Sequence, residues 1–219
     1  MQAIMETVFD LSYFSAALWL GVTLLKNARG RAQYMLFGWM ALLLVFGDAF
    51  HLVPRMIALN TTSLADYTVP LGIGKLVTSI TATVFYALLY HAWRARYNVT
   101  GRRGLTLWVW GLTLLRTALC LFPQNVWLSA NPPLLWGVYR NLPYLPLGVI
   151  LMVLFFRSGK NDPPLRHAWL AVLLSFAFYI PVVLFAEMFP PVGILMIPKT
   201  IAYVWLIAMF RAAQKRDAS

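Results

Sequence analysis

Long apolar runs separated by short polar connections dominate the chain from end to end. Seven such runs, at 6–25, 34–57, 69–93, 104–122, 134–156, 166–188 and 191–210, are each long enough, at 1.5 Å per helical residue, to cross a hydrocarbon core of about 30 Å. A backbone in lipid must satisfy its own hydrogen bonds, so the pattern predicts seven transmembrane helices and an all-α integral membrane protein. Almost nothing is left over for a soluble domain. The chain therefore reads as a single transmembrane domain over 1–219, and any chemistry has to lie inside the bundle or at its two faces.

The polar connections alternate in character. The first carries Lys26, Arg29 and Arg31, the third Arg94, Arg96, Arg102 and Arg103, the fifth Arg157, Lys160 and Arg166, and the tail Arg211, Lys215 and Arg216. The connections at 58–68, 123–133 and 189–190 carry no Lys or Arg. The positive-inside rule then places the N terminus outside and the C terminus in the cytoplasm, most simply in a plasma (cytoplasmic) membrane.

Composition agrees with this, at 61% hydrophobic and only 11% charged. The net charge of +11 needs no nucleic acid partner, because most of it is topology signal facing membrane lipids. Cys120 is alone, which excludes an internal disulfide and a cysteine cluster for metal. Neither a metal nor a cofactor is expected.

Sliding the chain on itself by about 130 residues lays the first three spans over the last three. "DLSY" at Asp10 to Tyr13 meets "NLPY" at Asn141 to Tyr144. "WMALLLVF" from Trp39 meets "WLAVLLSF" from Trp169 after one residue of slippage, and "VPLGIGK" from Val69 faces "PPVGILMIPK" from Pro190. The match predicts a 3+1+3 parallel repeat, with repeats at 6–93 and 134–210 and a linker helix at 104–122. Parallel repeats of this kind place a binding site near their interface.

Thirteen of the 18 Lys and Arg residues lie in the basic connections, which leaves Arg55, Lys75, Arg116, Arg140 and Lys199 within or at the mouths of spans. A charge at mid-bilayer costs on the order of 2.5 to 3.5 kcal/mol even on lenient scales, so these five require partners or water. With Asp48, His51, Tyr139, Asn141, Tyr144, Tyr179 and Glu187 they fall in the outer halves of their spans. They also share faces at helical spacing, as in Asp48, His51 and Arg55. Five cations against Asp10, Asp48 and Glu187 leave a net-positive set, with Glu6 and Asp66 read as too near the surface to count. The expectation is an outward-facing cavity that binds an anionic small molecule or lipid head group, with Arg116 and Arg140 as bidentate clamps. The protein would then be a transporter or a receptor. The plainer alternative pairs Asp48 with Arg116, and Glu187 with Arg140 or Lys199, as structural ion pairs.

Three resemblances bear on the choice. The 3+1+3 plan resembles the SWEET sugar transporters and their PQ-loop relatives, although Pro123-Gln124 falls at the end of the fourth span rather than in the first or fifth. "GDAFHLVP", from Gly47 to Pro54, is similar to the Gly-Asp motif of lysoplasmalogenases, and the seven-span plan to alkaline ceramidases. That resemblance implies an intramembrane lipid hydrolase using Asp48 and His51 as catalytic acid and base. The ceramidase zinc is not expected, since only His51 lies deep enough to be a ligand. Lys199 in the seventh span and "FYIP" at Phe178 to Pro181 resemble the microbial rhodopsins, implying retinal bound through Lys199. The third span lacks that family's Trp-x-x-x-Thr-x-Pro pattern and its acidic counter-ion.

Overall fold

A computed structural model describes residues 2–186 and 188–218, leaving out the side chain of Gln2. The candidate residue Glu187 lies outside the described residues. The helices are α1 (Gln2–Lys26), α2 (Ala32–Thr61), α3 (Thr68–Arg96), α4 (Arg103–Leu121), α5 (Leu134–Asn141), α6 (Tyr144–Ser158), α7 (Ala168–Phe185) and α8 (Met196–Arg216). Together they make seven helical segments long and apolar enough to cross a membrane, with α5 and α6 forming one of them. This fits a membrane protein. Trp19, Leu107, Trp108 and Leu114 are among the large apolar side chains left on the outer surface, which suits a hydrocarbon solvent and would be costly in water.

The segments pack in chain order around a closed ring. α1 packs on α2, α2 on α3, α3 on α4, α4 on α6, α6 on α7 and α7 on α8, and α8 closes the ring on α1. Contacts of α3 with α6 and of α2 with α8 cross its interior. The core of the half nearest the basic connections is aromatic and aliphatic, with Phe37 stacked on Phe210 at 3.6 Å and Phe85, Leu89 and Phe155 buried.

Two local features shape the other half. Pro54 sits inside α2 and cannot donate to the carbonyl four residues earlier, that of Phe50. Gly74 of α3 lies against that freed carbonyl and the Cα of His51, where any Cβ would collide with backbone. Gly47 of α2 likewise has no room for a Cβ against Thr81. Small residues thus bring α2 and α3 together beside Asp48 and His51.

The fifth apolar run is broken rather than continuous. α5 ends at Asn141 and α6 starts at Tyr144, because Pro143 has no amide hydrogen to continue the ladder. Leu142 N donates to the Tyr139 carbonyl that Pro143 cannot reach, at 3.3 Å, and Asn141 donates from Nδ2 to the Gly137 carbonyl at 2.8 Å. The break holds Asn141 and Tyr144, 8% and 3% exposed, within the bundle.

Candidate functional site

The polar residues of the half away from the basic connections form two neighbouring groups. In the first, Tyr13 of α1 donates to Asp48 Oδ2 of α2 at 2.7 Å. Asp10, one turn earlier on α1, is buried beside them and feels the charges of Glu6, Arg55 and Asp48. Arg55 grips Glu6 with two hydrogen bonds, Nε to Oε2 at 2.9 Å and Nη2 to Oε1 at 3.2 Å. Glu6 therefore neutralises a cation that the sequence reading left facing Asp10 and Asp48. It stands near the start of α1, but its carboxylate is only 16% exposed.

His51 faces elsewhere. Its Nδ1 lies 3.4 Å from the Leu71 carbonyl of α3, and no hydrogen bond joins it to Asp48. The two residues share a face of α2 and are one turn apart, yet each is directed at a different neighbouring helix. Lys75 of α3 is exposed, and its charge acts on His51.

The second group centres on Arg116 of α4, the largest fully buried side chain among the described residues at 1% exposure. Its guanidinium carbon stands 3.2 Å from the centre of the Tyr144 ring. Nη2 donates to Asn141 Oδ1 at 3.3 Å, and that oxygen also accepts from Tyr179 at 3.1 Å. Among the described residues, Nε and Nη1 have no hydrogen-bond partner. Among the described residues no carboxylate forms a salt bridge with this arginine; the phenols of Tyr144 and Tyr179, the thiol of Cys120 and a second cation, Lys199, lie around it.

Lys199 of α8 is 7% exposed and links the two groups. Its ammonium lies 4.9 Å from the Tyr179 ring and 5.3 Å from the Tyr203 ring. It shares an electrostatic environment with Asp48 on one side and Arg116 on the other, without a direct ion pair. Around it, Tyr86, Tyr144, Phe176 and Tyr203 form an aromatic cluster. Tyr86 hydrogen-bonds Ser175 at 2.6 Å, and the Tyr144 hydroxyl is buried beside Tyr86 and Tyr203.

Arg140 stands apart from Arg116. It donates to Asn125 Oδ1 at 2.9 Å and lies 4.2 Å over the Trp127 ring, so the loop between α4 and α5 engages it. Both arginines lie near enough to the buried Cys120 thiol for their charges to act on it. Tyr139 is 45% exposed and meets Trp136 edge-on, outside the cluster. The structure thus assembles Asp48, Arg116, Asn141, Tyr144, Tyr179 and Lys199, keeps Arg55 and His51 nearby with other partners, and leaves Tyr139 out. The expected Asp48–Arg116 pair does not form: Asp48 is bound by Tyr13. No group of three His, Cys, Asp or Glu side chains is placed to hold a metal ion among the described residues.

A second cluster, at the end with the basic connections, escaped the sequence reading. Arg96 at the end of α3 binds Asp162 through Nε at 2.9 Å and Nη2 at 3.1 Å, and it also binds the carboxylate of Asp217 after α8. Tyr34 of α2 donates to Asp217, Tyr97 donates to Asp162 at 3.2 Å, and Arg31 adds a 3.9 Å contact to Asp217. Burial alone would raise the Asp217 carboxyl, but the hydrogen bonds from Arg96 and Tyr34 and the charges of Arg96 and Arg31 hold it below the ordinary aspartate value. Burial, with the charge of Asp162 and the hydrogen bond to it, pushes the Tyr97 phenol up. The signal was visible: Asp162 and Asp217 are carboxylates set among arginines and lysines.

The chain matches no family model, and no curated protein or solved structure is significantly similar to it.

Proposed function

We propose that the protein is an integral membrane protein that binds an anionic small molecule or lipid head group inside its bundle, as a transporter or receptor, with the basic connections cytoplasmic and the site in the outer half. The observation that carries this reading is Arg116, a buried guanidinium with two unpartnered nitrogens and no carboxylate among the described residues. A lone buried charge is strongly unfavourable, and Lys199 beside it adds a like charge. A ligand carboxylate or phosphate would relieve both, taking a charge-assisted hydrogen bond from Nε or Nη1, which lie on different edges of the guanidinium, and the charge of Lys199. The aromatic cluster would hold the ligand's apolar part, and Asp48, tied to Tyr13, would balance Lys199 when the site is empty.

A 3+1+3 repeat would put a site at this place. Tyr13 and Tyr144, which the offset superimposes, are each 3% exposed. Each meets the span next in the chain, Tyr13 through Asp48 of α2 and Tyr144 through the ring of Tyr179 of α7 at 6.0 Å.

The test is thermal unfolding of purified protein against a panel of small carboxylates, phosphates and lyso-phospholipids. A ligand at a hundred times its Kd stabilises by about 2.7 kcal/mol. The expected result is stabilisation by at least one anionic class in the wild type that is lost in Arg116→Gln and reduced in Arg116→Lys. An unresponsive wild type, or equal stabilisation of Arg116→Gln, would overturn the reading.

One observation favours a second reading, a retinal protein. The third span offers no acidic counter-ion, but Asp48 of α2 is the carboxylate whose charge acts on Lys199. Added retinal should then give visible absorbance that Lys199→Ala abolishes, and absorbance of free retinal alone would end it.

A further inference from the structure

At the basic end, where the last turn of α8 approaches the end of α1, lies an open cavity of about 330 Å³ lined by Asn27, Arg29, Arg211, Gln214, Lys215 and Ala218. That is the small end of the range for ligand pockets, about 300–1,000 Å³. Three of the lining residues are cations and none is an acid. Asp217, adjacent in sequence to the lining residues, is already taken by Arg96, Tyr34 and Arg31.

The arginine in this cavity is held in place. Gln214, 2% exposed, donates from Nε2 to the Leu24 carbonyl of α1 at 2.8 Å and accepts from Arg211 Nη1 at 2.5 Å. Arg211 Nε is buried and has no partner among the described residues. A helix C terminus attracts cations, which accounts for basic residues at the ends of α1 and α8. It does not account for three of them around open volume, with one guanidinium fixed by a buried glutamine and a donor left over.

We infer that this cavity binds a phosphate group, supplied by the head group of an anionic phospholipid. Arg211 gives the directional hydrogen bonds, and Arg29 and Lys215 give charge and are exposed enough to close over the ligand. The site stands at the end of two helices long and apolar enough to cross a membrane, the level at which bilayer phosphates lie. It is separate from the Arg116 centre, and either can fail without the other.

The experiment is native mass spectrometry of the detergent-solubilised full chain, titrated with phosphatidylglycerol, phosphatidylcholine or inorganic phosphate. Phosphatidylglycerol is expected to bind more tightly than phosphatidylcholine. Its binding should weaken by about fivefold for each cation removed, so about twenty-five-fold in Arg29→Gln/Lys215→Gln. The variant Lys160→Gln/Arg166→Gln removes the same charge from another basic connection and should leave binding within about twofold. Equal loss in both variants would show general surface charge and overturn the site, as would equal affinity for the two lipids. Inorganic phosphate that binds alone and displaces phosphatidylglycerol would support the phosphate chemistry with a soluble source. Arg29→Gln by itself, a change at an exposed side chain, must still show its fivefold loss.

Discussion

The two ends of the bundle handle buried charge in opposite ways. At the basic end Arg96 meets two carboxylates, Asp162 and Asp217, and Tyr34 and Tyr97 donate to the same acids. At the other end Arg116 is more deeply buried yet meets an amide oxygen, an aromatic ring and no carboxylate among the described residues. The first arrangement is closed: it ties α2, α3, the α6–α7 connection and the C-terminal tail together with its charges matched. The second is open, a cation held ready at a cost that packing elsewhere must offset. A closed network tells of architecture, whereas an open one points to something that comes and goes.

The comparison breaks most visibly at Arg96. Arg96→Met would leave Asp162 buried and Asp217 half-buried without their main partner, and removing one member of such a network costs about 3–5 kcal/mol when it is fully buried. Urea or thermal unfolding in detergent should show a loss of that order. A loss below about 1 kcal/mol would mean that the basic end is solvated after all.

At Arg116 the sign should reverse. Arg116→Met exchanges an unmatched buried charge for an apolar side chain of similar length, a change that is neutral or stabilises by about 1–4 kcal/mol in comparable cases. The unliganded protein should therefore be no less stable, while the response to anions disappears. Strong destabilisation of the unliganded variant would show that Arg116 has a structural role like that of Arg96.

Acid should distinguish the ends reversibly. The Asp217 carboxyl is held below its unfolded value of about 3.9, so its contribution is complete above that pH and is lost as pH falls through the lower folded value. Stability should stay level from neutral pH to about 5 and fall below 4. The Asp217→Asn variant should show a shallower fall over the same window, and an unchanged fall would remove Asp217 from the account.

Much of this contrast could be read in advance, and the unread part has physical causes. The seven spans were legible because hydrocarbon thickness imposes a length and composition that survive without any tertiary knowledge. Arg116 and Lys199 stood out because a charge inside an apolar run has few explanations. Which partners they meet depended on helix rotation and ring order, which periodicity does not carry: Asp48 points to Tyr13 rather than Arg116, and Glu6 reaches Arg55 because α1 lies against α2 in the direction that brings their far ends together. The fifth apolar run read as one span rather than as two helices divided at Pro143. At the basic end, the topology signal was strong enough to account for every arginine, which hid the fact that Arg96 is bound on both sides by acids.

The smallest effect is expected at the rim of the closed network, and it tests how far that network extends. Arg31 contacts Asp217 at 3.9 Å with a side chain 53% exposed, so water and salt screen most of the attraction. Exposed pairs of this kind are worth about 0–1 kcal/mol, and ordering a long side chain offsets part of that. Arg31→Gln should therefore change stability by less than about 0.5 kcal/mol and lose even that effect at high ionic strength. In a double-mutant cycle with Asp217→Asn the coupling should be correspondingly small, because Asp217 takes its main support from Arg96 and Tyr34. A coupling above about 1 kcal/mol would place Arg31 inside the network and make the N-terminal side of α2 part of what the C-terminal tail holds closed.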